Sequence, residues 1–174
     1  ITTITQDTNS GTWEYTGDGD SIPGETFTIK DFGATDYYNL SLDGIEVDFF
    51  QSSAAKVIAN NLTLTDVYYI ANGQTTNVTG TVTINESTYE ASTATQTMGA
   101  LTTNSGGFFE GSTGTVDVNG DVTLFGGLIT GPTLLTILGN FYNTGTGTLA
   151  HNNGSVVFDA STNHTISGSH VWNN

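Results

Sequence analysis

Polar and apolar residues alternate in short runs along this chain, and the same run recurs about every 20 residues. Each copy begins with a Gly or Asn anchor, and an apolar–polar–apolar triplet such as Leu62-Thr63-Leu64 starts two residues later. Alternation with a period of two places the apolar members of a strand on one face. The pattern therefore predicts short, half-buried strands. The anchors, separated by 20, 19, 21 and 19 residues, are Asn60, Gly80, Gly99, Gly120 and Gly139.

A unit of this size with two or three short strands cannot bury its own apolar face. Stacking such units about 4.8 Å apart produces a continuous core. We therefore predict an all-β fold, a parallel β-solenoid (β-helix) with coils of about 20 residues. An antiparallel β-sandwich or jelly roll, which also has short strands at regular spacing, is the alternative. In the solenoid the anchors share one corner, and one inward column contains Leu62, Val82, Leu101, Val122 and Phe141.

A second apolar position is expected nine residues after each anchor, which selects Tyr69, Tyr89, Phe108 and Ile129. The repeats divide the chain into an acidic N-terminal β segment with an insertion loop (1–56), regular repeats (57–150) and a C-terminal partial repeat (151–174). The partial repeat resembles residues 11–40. Because it stops where its counterpart continues, we expect both ends to be joints, either to adjacent repeats or to other copies head to tail.

The composition narrows the classes of partner. The chain has 17 acidic residues, no Arg, and only Lys30 and Lys56 as cationic side chains, for a net charge of −15. Such a charge disfavours nucleic acid and anionic membrane surfaces, since both would be repelled. No apolar run is long enough for a membrane span, so no membrane insertion is predicted. Cysteine is absent, so backbone pairing and packing must hold the fold.

Three C-terminal motifs carry a resemblance to a known kind of protein: residues 139–143 (GNFYN), 151–159 (HNNGSVVFD) and 163–168 (NHTISG). They resemble the repeats of large bacterial and archaeal cell-surface proteins, which are similar to adhesin and filament stalks. The likeness is good over residues 110–174 and loose over 11–70. It implies an extracellular structural or adhesive role, and it implies no catalytic residues.

One loop is a candidate metal site. Asp18, Asp20 and Glu25 lie on a Gly- and Pro-containing insertion and offer the hard oxygen ligands that Ca²⁺ prefers. A polar turn that binds no ion is the competing interpretation. No other cofactor is predicted.

An enzyme is not predicted. Parallel β-helices include polysaccharide lyases and hydrolases, whose chemistry needs clustered carboxylates together with a cation. Here Arg is absent, and both Lys are expected to lie outside the regular repeat. The three histidines, His151, His164 and His170, lack the spacing of zinc ligands.

Two binding functions remain as alternatives. A carbohydrate-binding module would use exposed aromatic rings as platforms for sugars, and the alternative for those rings is burial in the core. The candidate rings are Trp13, Tyr37, Tyr38 and Trp172. An ice-binding protein would use an outward column of hydroxyl groups, one per coil. That column is Ser41, Thr63, Thr83, Thr102 and Thr123, interrupted by Tyr142.

Overall fold

The computed structural model describes residues 8–16, 24–159 and 163–169. Within these residues the chain forms 17 β-strands and no helix, and the paired strands run parallel. The strands are β1 Thr12–Thr16, β2 Thr26–Ile29, β3 Asn39–Ser52, β4 Lys56–Ile58, β5 Leu62–Ile70, β6 Thr76–Asn85, β7 Thr88–Glu90, β8 Gln96–Thr103, β9 Phe108–Glu110, β10 Thr115–Val118, β11 Val122–Leu124, β12 Leu128–Thr130, β13 Leu134–Ile137, β14 Phe141–Asn143, β15 Thr148–Ala150, β16 Ser155–Phe158 and β17 Ile166–Ser167.

The strands stack into three faces of a solenoid, and each regular coil contributes one short strand to each face. Face A contains β4, residues 76–78 of β6, residues 96–98 of β8, β10, β13 and β16. Face B contains β1, residues 39–43 of β3, 62–65 of β5, 81–85 of β6, 100–103 of β8, β11, β14 and β17. Face C contains β2, residues 48–52 of β3, 67–70 of β5, β7, β9, β12 and β15. The predicted parallel β-solenoid is confirmed, and the antiparallel alternative is wrong.

The anchor residues mark the corner between face A and face B, as predicted. Gly80 N donates to the carbonyl of Asn60 at 2.8 Å, and Gly139 N donates to that of Gly120 at 3.0 Å. A Cβ atom on Gly99 would collide with the carbonyl oxygen of Thr79 in the coil below. Glycine therefore recurs here because successive backbones approach too closely for a side chain.

The inward column on face B is also confirmed. Leu62 pairs with Val82, and the register continues through Leu101, Val122 and Phe141. Each of these side chains is fully buried. Burial of one such side chain contributes about 1.5–3 kcal/mol, so a column repeated in every coil is a main source of stability.

The inward column on face C differs at one position from the expectation. Tyr69, Tyr89 and Phe109 stack in successive coils, with ring centroids 4.8 and 5.1 Å apart, and Ile129 follows Phe109 in register. The sequence spacing selected Phe108, which faces outward instead. The reason is the turn at residues 104–107, which adds one residue between face B and face C in this coil.

The interior contains polar side chains on face A. Lys56, Thr76 and Gln96 occupy one inward column and are fully buried or nearly so. In the following coils the same column is apolar, with Val116 and Leu135. The expectation that Lys56 lies outside the regular repeat is therefore wrong, because Lys56 begins β4.

The two ends of the described solenoid are formed by different elements. At the N-terminal end, Phe32 packs against Trp13 and Tyr37, with ring centroids 5.3 and 5.6 Å apart. At the other end, β15, β16 and β17 form the last layer. β1 lies on face B and β16 on face A, although their sequences resemble each other.

Candidate functional site

The predicted calcium loop is described only in part. Asp18 and Asp20 lie outside the described residues. Glu25 is half-buried, and its backbone carbonyl accepts a hydrogen bond of 2.7 Å from the amide of Phe49. In the part of the chain that the structure describes, no three His, Asp or Glu side chains group closely enough to hold a metal ion. The calcium site stays a prediction.

The two described histidines make contacts that hold turns and layers together. His151 Nδ1 accepts a hydrogen bond of 3.1 Å from the amide of Asn153. His164 Nδ1 lies 2.6 Å from the carbonyl oxygen of Gly139 and must carry the proton, because a carbonyl only accepts. The His164 ring also packs against Phe158, with centroids 5.3 Å apart. His170 lies outside the described residues.

The aromatic residues proposed as sugar platforms are mostly part of the core. Tyr37 is fully buried, and its hydroxyl donates to the carbonyl of Lys30 at 2.7 Å and contacts the Tyr15 hydroxyl at 2.8 Å. Burial raises the pKa of Tyr37 far above its ordinary value. Trp13 is partly buried and packs against the core. Tyr38 is half-buried, so the three described residues do not form an exposed platform. Trp172 lies outside the described residues.

The outward hydroxyl column lies on face B in the predicted register. Its five Ser and Thr side chains are half-buried. The polar side chains beside it, at the corner with face A, bind the next layer. Asn61 Oδ1 accepts from Thr81 N at 2.9 Å, and Asp121 Oδ1 accepts from Asn140 N at 2.7 Å. The column is therefore a single rank of hydroxyls, which does not favour an ice-binding surface built from paired ranks.

Face C carries an outward column that the sequence did not reveal, in which four of five side chains are large and mainly apolar and the central one is Thr88. Phe49 and Tyr68 are in contact, with ring centroids 5.2 Å apart. Phe108 is 42% exposed, which is unusual for a phenylalanine in a strand. We call this column the aromatic strip; in order along the axis, its residues are Phe49, Tyr68, Thr88, Phe108 and Leu128.

A second outward column runs beside the aromatic strip, two residues further along each strand. We call it the polar flank; its residues are Gln51, Ile70, Glu90, Glu110 and Thr130. Glu90 and Glu110 are paired in adjacent layers, so two acidic residues are neighbours in this column.

Tyr68 connects the two columns. Its hydroxyl donates to Glu110 Oε2 at 3.0 Å, although Glu110 is two layers away. To reach that carboxylate, the Tyr68 side chain must extend along the face rather than point straight out from it. Burial and the bond to Glu110 raise the pKa of Tyr68 to about 12, so the hydroxyl remains a donor at neutral pH.

The last layer is the third candidate surface. Ile166 continues the inward column of face B beyond Phe141, yet its side chain is 46% exposed whereas that of Phe141 is buried. Val156 and Phe158 of the same layer are only partly buried. Among the described residues, these three apolar side chains of the last layer are therefore less covered than their counterparts in the preceding layers.

Comparisons with known proteins do not indicate a function for these surfaces. No protein-family model, curated protein or solved structure matches the chain. Among the described residues there is no helix with the length and hydropathy needed to cross a membrane.

Proposed function

We propose that this chain is an extracellular structural protein, a repeat segment or subunit of a surface filament or adhesin stalk that assembles head to tail. The observation that carries the proposal is the end of the inward column on face B. From Leu40 to Phe141 its members are at most 1% exposed, and Ile166 in the last layer is 46% exposed. A further layer placed on Ile166 would bury it as the preceding layers bury theirs.

Backbone pairing at the same end supports the proposal. Among the described strands, β15, β16 and β17 each pair on one side only. An edge strand with unpaired N–H and C=O groups is a template for another chain. A neighbouring copy, or the next repeat of a longer chain, would complete the layer by strand addition.

The two ends are not alike, which favours an open assembly. One end presents the aromatic side chains of Trp13, Phe27 and Phe32, and the other presents Val156, Phe158 and Ile166. A contact between different surfaces is heterologous and produces an open filament unless its rotation closes a ring. The surface location is supported by the resemblance of the C-terminal motifs to cell-surface repeats.

The test is a charge placed in the last layer. Ile166→Lys should abolish filaments, because a stacked neighbour would bury the new charge. Leu138→Lys is the matched control, since Leu138 is 39% exposed but lies on the side of the solenoid, after β13. Negative-stain microscopy and sedimentation at high protein concentration would measure the assemblies.

The outcomes separate clearly. Filaments of the unsubstituted chain that survive Leu138→Lys and disappear with Ile166→Lys support end-to-end stacking. End-to-end stacking is overturned if the unsubstituted chain stays monomeric at high concentration. It is also overturned if filaments form equally well with Ile166→Lys.

A further inference from the structure

The aromatic strip and the polar flank place two kinds of chemistry side by side on face C. The strip offers apolar surface, with Phe108 the most exposed of its aromatic rings. The flank offers hydrogen-bonding groups beside it, the amide of Gln51 and the carboxylates of Glu90 and Glu110. Exposed apolar surface rimmed by polar groups is typical of a binding site.

We propose that face C binds a neutral polysaccharide that lies along the solenoid axis on the aromatic strip. A sugar ring has an apolar face of C–H groups and hydroxyl groups around its edge. The C–H face would pack on Phe49, Tyr68 and Phe108, as aromatic rings pack against other apolar groups. The hydroxyl groups would donate to Glu90 and Glu110, which as carboxylates only accept.

The shape of the strip fits a linear polymer. Its five layers, spaced about 4.8 Å apart, form a strip about 19 Å long and one side chain wide. A stable protein interface buries about 800 Å² on each partner, which is much more than so narrow a strip provides.

Part of the site is already held in its binding shape. The bond from Tyr68 to Glu110 holds the tyrosine side chain along the face, so little conformational freedom is lost on binding. Glu110 keeps a second carboxylate oxygen for a ligand, since the bond to Tyr68 uses Oε2.

Charge disfavours two other occupants, a second copy of the chain and an anionic polysaccharide. A second copy docked through face C would bring carboxylates against carboxylates, between chains that each carry −15. Like charges brought together across an interface cost several kcal/mol. An anionic polysaccharide meets the same repulsion, and a neutral one does not.

This proposal does not rest on filament formation, because the whole strip belongs to one chain. The test uses the full chain and its Ile166→Lys variant, so that binding is measured whether or not filaments form. Depletion from solution by cellulose and chitin, and affinity electrophoresis in xylan and glucomannan, would measure binding to neutral polysaccharides. Polygalacturonate is the anionic comparison.

We expect retention by at least one of the four neutral polysaccharides. Phe108→Ala should weaken it about two- to twelvefold, the loss expected for one aromatic contact. Thr83→Ala, on the outward column of face B, is the control and should change nothing. Because Phe108 points outward, Phe108→Ala should have the same melting temperature as the unsubstituted chain. Leu128→Ala tests the same strip one layer further on.

Three results would overturn the proposal. The first is no retention of the unsubstituted chain by any of the four polysaccharides. The second is retention that neither Phe108→Ala nor Leu128→Ala weakens, or a preference for polygalacturonate. The third is self-association of the Ile166→Lys chain that Phe108→Ala abolishes, which would assign the strip to a second copy.

Discussion

The hydroxyl of Tyr69 on face C lies 2.7 Å from the hydroxyl of Thr76 on face A, across the interior of one coil. In the next coil Tyr89 donates to Gln96 Oε1 at 2.8 Å. One coil further, the two positions are both apolar, Phe109 and Val116. These three coils thus match polar with polar or apolar with apolar, whereas in the preceding coil the equivalent positions are Phe50 and Lys56. If face A were shifted by one coil relative to face C so that Tyr89 faced Val116, the buried Tyr89 hydroxyl would have no partner. That loss costs free energy and so favours the observed register.

A double-mutant cycle tests this matching. Tyr69→Phe should destabilise the protein by about 1–3 kcal/mol, because Thr76 and Ser52 both lose a buried partner. Thr76→Val should cost a similar amount. The double variant should cost less than the sum, since neither side then presents an orphaned hydroxyl to the other. The measurement is the free energy of unfolding in urea.

Phe109→Tyr is the control for that cycle. It adds a hydroxyl group where Val116 provides no acceptor, so it should destabilise the fold although it is the reverse of Tyr69→Phe. Strictly additive effects in the cycle, together with a neutral Phe109→Tyr, would show that the matching contributes nothing.

The buried tyrosines predict a loss of stability at high pH. Burial raises the pKa values of Tyr37, Tyr69 and Tyr89 above their ordinary value of 10. Above pH 10 the unfolded chain loses these protons and the folded chain keeps them. The folded state then binds more protons, so the free energy of unfolding falls as pH rises, by about 1.4 kcal/mol per pH unit for each tyrosine. The stabilisation is complete below about pH 10.

Urea denaturation between pH 8 and 11.5 would measure this slope. Tyr89→Phe is expected to make it shallower, because one of the three groups no longer titrates. A free energy of unfolding that stays constant up to pH 11.5 would contradict the assignment of these rings to the interior.

The period of the sequence was sufficient to predict the coil of the solenoid, the corner between face A and face B, and the inward column of face B. Gly80 and Gly99 were informative because backbone crowding leaves no alternative to glycine there. Leu62 and Val82 were informative because strict alternation identifies the inward side. These are local constraints that recur in every coil, which is why a single sequence reveals them.

The aromatic strip could not be predicted in the same way. Phe108 and Phe109 are adjacent, and the spacing from Gly99 selects the wrong one because the intervening turn has an additional residue. Lys56 and Gln96 were missed because a buried polar side chain breaks the apolar pattern of its strand. Their partners lie across the coil, and no local pattern identifies them.

Assembly should depend on ionic strength. Stacking brings together chains that each carry −15, while the apolar end contacts are insensitive to salt. The Debye length falls from about 30 Å at 0.01 M to about 10 Å at 0.1 M salt, so the repulsion is much weaker at the higher concentration. Light scattering should therefore show longer assemblies as salt rises from 10 to 150 mM. Assembly that weakens over this range would indicate that charge attraction, and not the apolar core, joins the copies.

The register of face B predicts opposite outcomes for one substitution at adjacent residues. The Val82 side chain is fully buried between Leu62 and Leu101, whereas that of Thr83 faces outward and is half-buried. Val82→Asp would place an unpaired carboxylate in the continuous core and should cost several kcal/mol. Thr83→Asp should cost less than about 1 kcal/mol, since its neighbours on face B are the neutral Thr63 and Thr102.

The melting temperatures of the two variants test which of the two side chains faces the core. Both carry the same added charge in the same strand, so strand propensity and net charge cancel from the comparison and only the direction of the side chain differs. A large fall in melting temperature for Val82→Asp with little change for Thr83→Asp is expected. Equal falls would mean that both side chains meet the same environment, which is incompatible with a strand that has one buried and one outward face.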